Sequence, residues 1–255
     1  MHQGSPLPFR PGHPLFHFEE VVSTNSLLWK LVEEGAKPGT AVVADYQRGG
    51  KGQAGSRWES EAGANILLSL YLPVPFLEAS VQFRLNIAVS LAVSDFVRLY
   101  LGDGVRLKWP NDVYYHQAKL GGILIENSIQ GSFLSDSVVG VGINVNQAHF
   151  FGPFNATSFT NITGRFYALH DLLDQLFRCF HKRFEALFAG QWLQQRTDYL
   201  HQLLGLGELR AFEYQGQLIK ATILDVDAEG HLVLDSNLGR LVMNNKEIKF
   251  RFDER

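Results

Sequence analysis

Between residues 105 and 145 the chain carries four strand-length apolar runs with very little between them. Residues 105–109 stop at Pro110-Asn111-Asp112. Residues 113–116 and 120–129 are joined by a tight polar connection, and 137–145 follows. Parallel neighbours need a crossover of a dozen or more residues, so runs this close pair as antiparallel hairpins. That spacing argues against a doubly wound parallel sheet and predicts an α+β fold with a mixed sheet.

The flanking segments fill in the pattern. Residues 15–22 read as a strand, and Ser23-Thr24-Asn25 offers helix-capping groups. Leu27, Leu28, Leu31 and Val32 then recur with helical spacing up to Gly35. Residues 41–44 and 65–72 read as strands, the second closed by Pro73 and Pro75. Residues 77–101 read as one long helix, 169–188 and 192–203 as two more, and 150–164 as irregular. After Gly205 and Gly207 the pattern turns to short alternating strands: 209–214, 217–226, 231–235, 239–244 and one more within 246–252. The expected organisation is an N-terminal extension (1–14), a large domain (15–205) and a small β domain (206–255) closed as a tiny barrel.

Composition narrows the function classes. Hydrophobic residues make up 45% and charged residues 19%, which suits a packed core and not a disordered chain. A formal net charge of −3 argues against wholesale coating of nucleic acid. The single cysteine, Cys179, excludes an intrachain disulfide framework and any cysteine-cluster metal site, and it fits a reducing compartment. No signal-peptide core is seen at the start, and the apolar runs are strand-length, short of a bilayer span. A cytoplasmic protein without membrane or DNA partners is expected.

Four strings carry chemistry. The first runs from Gln47 to Trp58 and includes Arg48, Gly49, Gly50, Lys51, Gly52, Gln53, Ala54, Gly55, Ser56 and Arg57. Its glycines allow backbone N–H groups to converge on an anion, its cations add charge, and Trp58 offers a stacking face. It is neither a Walker A loop nor a dinucleotide fingerprint; a flexible surface loop is the plain alternative. The second is Lys108-Trp109-Pro110-Asn111-Asp112. Pro110 holds Trp109 extended, so Asn111 and Asp112 emerge at a strand end. Asp112 is a candidate magnesium ligand; an Asn-Asp turn beneath a buried Trp is the alternative. The third, Lys119 to Glu126, sets a lysine before Gly121-Gly122 and an apolar strand; a solvated turn lysine is the alternative. In the fourth, Gly140-Val141-Gly142-Ile143-Asn144, a buried amide needs a partner and the glycines favour a ligand lying on the sheet.

In this order and spacing, the four strings and Ser23-Thr24-Asn25 resemble those of biotin–protein ligases, the biotin–[acetyl-CoA-carboxylase] ligase family, over about residues 15–252. The resemblance implies a class II aminoacyl-tRNA-synthetase-like mixed-sheet catalytic domain followed by a small SH3-like β-barrel. Some members add an N-terminal winged helix-turn-helix and act as repressors. The roughly 14 residues ahead of the first strand here lead to the expectation of a ligase without repressor activity.

The implied reaction activates biotin with ATP and magnesium as biotinyl-5'-AMP, then transfers it to a lysine of a biotin carboxyl carrier domain. By resemblance, Lys119, Lys51 and Asp112 are catalytic. Ser23, Thr24, Asn25, Gln47, Gly50, Lys51, Lys119, Gly122 and Gly142 bind biotin. Gly52, Gln53, Arg57, Trp58, Lys108, Asn111, Asp112, Lys119 and Asn144 bind ATP or the adenylate, and Asp112 is the metal candidate. The loop departs from the family at Lys51, Gln53, Ala54 and Ser56, where Arg is common; the charge at 53 is lost, which predicts easier release of the adenylate. Lipoate- or octanoate-protein ligase chemistry and a degenerate biotin-binding module are the alternatives. Family members occur as homodimers, through sheet-edge contacts, and as monomers, so a homodimer is left open.

Overall fold

The structure is a computed structural model that describes residues 7–151 and 155–252. Residues 1–6 of the expected extension and 152–154 of the expected irregular span lie outside the described residues. In chain order the elements are β1 (Leu15–Val21), α1 (Thr24–Glu33), β2 (Ala41–Gln47), β3 (Ile66–Tyr71), α2 (Phe83–Leu101), β4 (Val105–Lys108), β5 (Asp112–Tyr115), β6 (Ala118–Gln130) and β7 (Phe133–Ile143). They are followed by α3 (Phe159–Thr163), α4 (Leu169–Phe188), α5 (Trp192–Gln202), β8 (Leu209–Tyr214), β9 (Gln217–Val226), β10 (Leu232–Ser236), β11 (Gly239–Met243) and β12 (Ile248–Arg251).

The first seven strands form one mixed sheet in the order β1-β2-β3-β7-β6-β5-β4. β1 and β2 are parallel, with α1 as their crossover, and every other pair is antiparallel. The short links after β4, β5 and β6 make the expected hairpins.

Strand alternation sorts the side chains into two layers. Val43, Ile66, Leu68, Leu70, Val139, Val141, Ile143 and Ile123 face a core built with α2, α4 and α5. Val42, Tyr71 and Val138 face the other way and pack under Leu28 of α1. α1 covers only part of that second face. Further along it, Gly122 of β6 stands opposite Gly142 of β7, and Gly140 lies one pair away, so the sheet is bare of side chains at these three adjacent positions.

The helix expected over 77–101 begins later, at Phe83. The residues before it pair with the β6–β7 hairpin: Leu134 N–H donates to Leu77 O, and Ala79 N–H to Ser132 O. A backbone engaged with a strand end cannot also continue a helix, and a 3₁₀ turn, Ala79–Val81, bridges the two. The span expected to be irregular holds the short helix α3, whose Ser158 side chain accepts from Asn161 N–H. By length and apolarity the segment Ala79–Gly104 resembles a membrane-crossing helix, but 67% of that window is buried inside this fold.

The closed SH3-like barrel expected at the C-terminus is not formed. β8 to β12 make an open antiparallel sheet in the order β11-β10-β9-β8-β12. Closure needs a ladder between the two outermost strands. Here β12 pairs with β8 and β11 with β10. The β11–β12 connection folds on itself instead, with Asn244 N–H donating to the Glu247 carboxylate. The inner strands bury Phe212, Ile219, Ile223, Leu232 and Leu234 in the same continuous core as the large sheet. The contact is pinned where Trp109 Nε1 donates to Gly230 O at 2.9 Å and Arg196 reaches Asp225 at 2.6 Å. Gly230 has φ +95°, and a β-carbon there would collide with Phe83.

Three helices are clamped by one guanidinium. Arg183 of α4 grips Asp95 of α2 with two bonds, at 2.7 and 3.0 Å, and Asp198 of α5 at 2.6 Å. Burial alone would raise the Asp198 carboxyl, but its bonds from Arg183 and Gln194 hold it below the usual range. Replacing Arg183 with Met leaves two carboxylates facing each other's helices without a counter-charge. A loss of about 3 kcal/mol is expected in urea unfolding, the low end for a broken buried pair because both acids are partly exposed. The depressed Asp198 carboxyl contributes stability that is present above its unfolded pKa of about 3.9 and lost as pH falls through its lower folded value. The wild type should therefore lose more stability than Arg183→Met on acidification below about pH 4.

Candidate active site

The lysine of the third string owes its direction to a defect in strand pairing. Along the β5–β6 ladder, Asp112 faces Gly122 and Val113 faces Gly121, but Tyr114 faces Lys119, so Leu120 is an extra residue. Without this bulge Lys119 would alternate away from Gly122 and toward the helical core. With it, Lys119, Gly122 and Asp112 share the glycine-floored face. The backbone on both sides of Lys119 is held: its N–H donates to Asn155 O at 2.8 Å, and its carbonyl accepts from Thr157 N–H at 2.9 Å.

The charges then converge. Lys119 Nζ lies 2.6 Å from Asp112 Oδ1, and Lys108 Nζ lies 3.8 Å from Asp112 Oδ2. Asp112 is 15% exposed, which makes this a partly desolvated triad with one surplus positive charge. Lys108 is also close to the rings of Phe250 (4.8 Å) and Tyr114 (5.7 Å). Burial lowers its ammonium pKa, with the Lys119 charge adding to that and Asp112 opposing it. Both Asp112 oxygens thus face lysines.

The Gln47–Trp58 string folds as a small hairpin over this face. Trp58 N–H donates to Gly50 O at 3.0 Å, Gly52 N–H to Ser56 O at 2.7 Å, and a 3₁₀ turn, Gln53–Gly55, makes the tip. The Trp58 ring rests on the glycine floor. A β-carbon at Gly142 would stand 2.5 Å from the ring, and one at Gly122 3.1 Å. Lys119 Nζ lies 5.8 Å from the centroid of the same ring. Trp58 Nε1 is buried and has no hydrogen-bond partner in the described structure, a state that costs about 1–3 kcal/mol. A polar ligand group at this floor would relieve it.

A polar cluster forms the far wall. Ser23 sits at the N-cap position of α1 and is buried, although its side chain makes no capping bond. Gln47 Oε1 accepts from Thr24 N–H (2.8 Å) and Thr24 Oγ1 (3.1 Å). Ser69 bonds both Thr24 Oγ1 and Asn25 Oδ1. The Asn25 side chain occupies the space over Gly140, where a β-carbon would collide with it. Its Nδ2 donates to Glu126 at 2.9 Å, and the other Glu126 oxygen lies 3.5 Å from Lys51 Nζ.

Other residues singled out in the sequence are engaged elsewhere. Asn111 Nδ2 donates to Ile123 O, and Asn144 Nδ2 to Thr157 O at 3.1 Å. Arg57 donates to Arg48 O at 2.9 Å, which closes the hairpin stem. Gln53 accepts from Asn245 of the small sheet, so the position that lacks the family's charge is tied to the second sheet. Gly50 and Gly52 lie in the hairpin stem, where β-carbons would crowd Trp58 O and Ser56.

Sequence reasoning missed Ser69 and Asn245, and it gave no role to Glu126, which closes the third string. Ser69 had a usable signal: it is the one serine in the otherwise apolar run Ile66–Leu70. Asn245 had none, because its contact crosses 192 residues of chain. Among the described residues one trio of metal-ligating groups gathers, Asp227, Glu229 and His231 in the β9–β10 turn. His231 already bonds Asp227 there through N–H and Nδ1, which accounts for the cluster as a turn clasp.

The floor is testable. Gly142→Ala should push the Trp58 ring off the sheet and leave the core intact. Amide exchange over residues 50–58 should speed up while the melting temperature stays close to wild type. Unchanged exchange would mean that the ring does not rest there.

Comparison with known proteins agrees with this geometry. Residues 18–144 match the family model described as the biotin/lipoate A/B protein ligase family. The chain is 32% identical over 230 residues to the biotin–[acetyl-CoA-carboxylase] ligase of Mycobacterium tuberculosis, covering 87% of this chain and 82% of that protein. It is 28% identical over 233 residues to the bifunctional ligase/repressor BirA of Bacillus subtilis, covering 89% of this chain and 71% of that protein. Among solved structures, the biotin protein ligase of Aquifex aeolicus in complex with biotin and ATP superposes with a TM-score of 0.78 at 26% identity, over 93% of this chain and 98% of that one. The glycine floor, the lysine raised beside it and the hairpin above are thus set in a fold shared across these proteins, and the chain belongs to the biotin–protein ligase family.

Proposed function

We propose that this chain activates biotin with ATP and transfers it to a lysine of a biotin carboxyl carrier domain. The observation that carries the reading is Lys119 Nζ, held 2.6 Å from Asp112 beside Gly122 and 5.8 Å from the centroid of the Trp58 ring. A cation at such a place suits two anions that must meet in a site shielded from water.

In the first step an oxygen of the biotin carboxylate attacks the α-phosphorus of ATP. The bond to the β-phosphate oxygen breaks, and pyrophosphate leaves. Lys119 bridges the carboxylate and the α-phosphate, oriented by Asp112, while Lys108 and Lys51 add positive charge for the phosphates. Ser23, Thr24, Asn25 and Gln47 form the polar end that receives the ureido group of biotin. Gly122 and Gly142 let its flat ring system approach the backbone, and Trp58 moves from the floor to flank the adenine. Gly50, Gly52, Gln53, Arg57, Asn111 and Asn144 line the nucleotide side. In the second step a neutral lysine amine of the carrier attacks the acyl carbon of biotinyl-5'-AMP. The amide forms, AMP leaves with the bonding pair, and the amine loses a proton to solvent or to Asp112.

ATP chemistry of this kind implies Mg²⁺. Asp112 does not fit as its protein ligand, because both carboxylate oxygens face ammonium groups at 2.6 and 3.8 Å. Neutralisation by this chain's own residues falls to Lys119, Lys108 and Lys51. On this reading the substrate is a carrier domain of a biotin-dependent carboxylase, and the enzyme works in the compartment of that carrier, expected to be the cytoplasm.

The matching family model spans lipoate as well as biotin enzymes, so acyl specificity is part of the test. Exchange of labelled pyrophosphate into ATP should depend on biotin and fail with lipoate or octanoate. Exchange only with lipoate or octanoate would keep the fold and change the substrate. Lys119→Ala removes two charge-assisted bonds at about 1.5–3 kcal/mol each, so exchange should fall by at least about 10²-fold. Lys108 remains beside Asp112 in that variant, so its melting temperature should stay near wild type. A collapse of stability together with activity would remove Lys119 from the catalytic role.

A further inference from the structure

We infer that Glu126 is a positioning residue that holds Lys51, and with it the Gln47–Trp58 hairpin, over the active site. The inference rests on the ligase reading for its kinetic consequence but not for its structural one.

Glu126 closes the third string and projects from the same face as Gly122, two alternations along β6. It is poorly placed for a simple solvated carboxylate. One oxygen accepts from Asn25 Nδ2 at 2.9 Å, and Asn25 is only 3% exposed. Asn25 is itself fixed: its Oδ1 accepts from the buried Ser69 hydroxyl, and its Nδ2 also approaches Leu124 O at 3.3 Å. The chain Ser69–Asn25–Glu126 therefore anchors one carboxylate oxygen to the core and presents the other to the hairpin. There it meets Lys51 Nζ at 3.5 Å.

Lys51 is well placed to transmit that grip. It pairs across the hairpin stem with Arg57, next to Trp58. Among the hairpin's charged side chains, Arg57 bonds only within its own loop and Arg48 pairs with Glu20 at the loop base. Lys51 alone among these reaches across to β6. The small sheet holds the opposite side of the hairpin through Asn245 and Gln53. Glu126 thus supplies the tether on the large-sheet side.

The test uses the full chain. Glu126→Gln keeps an acceptor for Asn25 and removes the charge that faces Lys51. In the ligand-free protein, amide exchange over residues 50–58 should speed up about two- to fivefold, the range for a partly exposed ion pair, with the melting temperature unchanged. KM for biotin in pyrophosphate exchange should rise by a similar factor while kcat stays within about twofold. The same change in a Lys51→Met background should have no further effect on loop exchange, because the two residues act as one unit. Equal effects in both backgrounds, or unchanged loop exchange, would overturn the inference. A fall in melting temperature without faster loop exchange would overturn it too, and would make Glu126 a core residue. If the wild type supports no pyrophosphate exchange, the ligase reading fails, while the ligand-free exchange data still decide the role of Glu126.

Discussion

The extra residue at Leu120 is the feature on which the site depends. In a regular ladder Lys119 would point with Ile123 into the layer of α2, α4 and α5, where an unpaired ammonium is strongly disfavoured. The bulge turns it onto the opposite face, beside Asp112. Gly121 makes this tolerable, since a β-carbon there would lie 2.8 Å from Gly142 O. Flanking bonds to Asn155 and Thr157 then hold the backbone in place. One irregularity in pairing thereby separates the charge that does chemistry from the apolar layer that supplies stability.

That separation runs through the whole molecule. The helical face of the sheet holds the large buried side chains and the Arg183 clamp. The other face is covered by α1 at one end and, over Gly122 and Gly142, by the Gln47–Trp58 hairpin. A missing side chain costs packing, yet it lets a flat group lie directly on the backbone, and in this structure Trp58 does so. The small sheet contributes at the same place. Trp109, 3% exposed, bonds Gly230 O, so the Lys108–Asp112 turn is braced from below by the second sheet.

Much of this was legible in the sequence. The hairpin spacing over 105–145 indicated antiparallel pairing, and the ordered strings indicated a shared site for Lys119, Asp112, Trp58 and the glycines. Where reading failed, long-range competition explains it. The helix expected from Leu77 starts at Phe83 because the backbone near Leu77 and Ala79 is engaged with the β6–β7 hairpin, a partner more than fifty residues away. The alternating strands after Gly207 suggested a closed barrel. Alternation reports only which face is buried, not whether the two outer strands meet, and β11 and β12 bond different neighbours. The family's missing loop charge at Gln53 was visible, but its tie to Asn245 was not.

The sequence by itself determined the period of each element, the antiparallel character of the central hairpins, and the residue types available for binding an anion and a flat ring. Those are properties of neighbours along the chain, set by backbone sterics and by the burial pattern. The tertiary structure decided which face each functional side chain occupies, which polar groups are already engaged, and how the second sheet ends. Asn111 and Asn144 donate to backbone carbonyls, Asp112 lies between two lysines, and Glu126 links the core to the hairpin. These outcomes follow from register, from the bulge at Leu120, and from contacts across as many as 192 residues. Hydrogen bonds must be satisfied in three dimensions, and local sequence does not say where the partner will be.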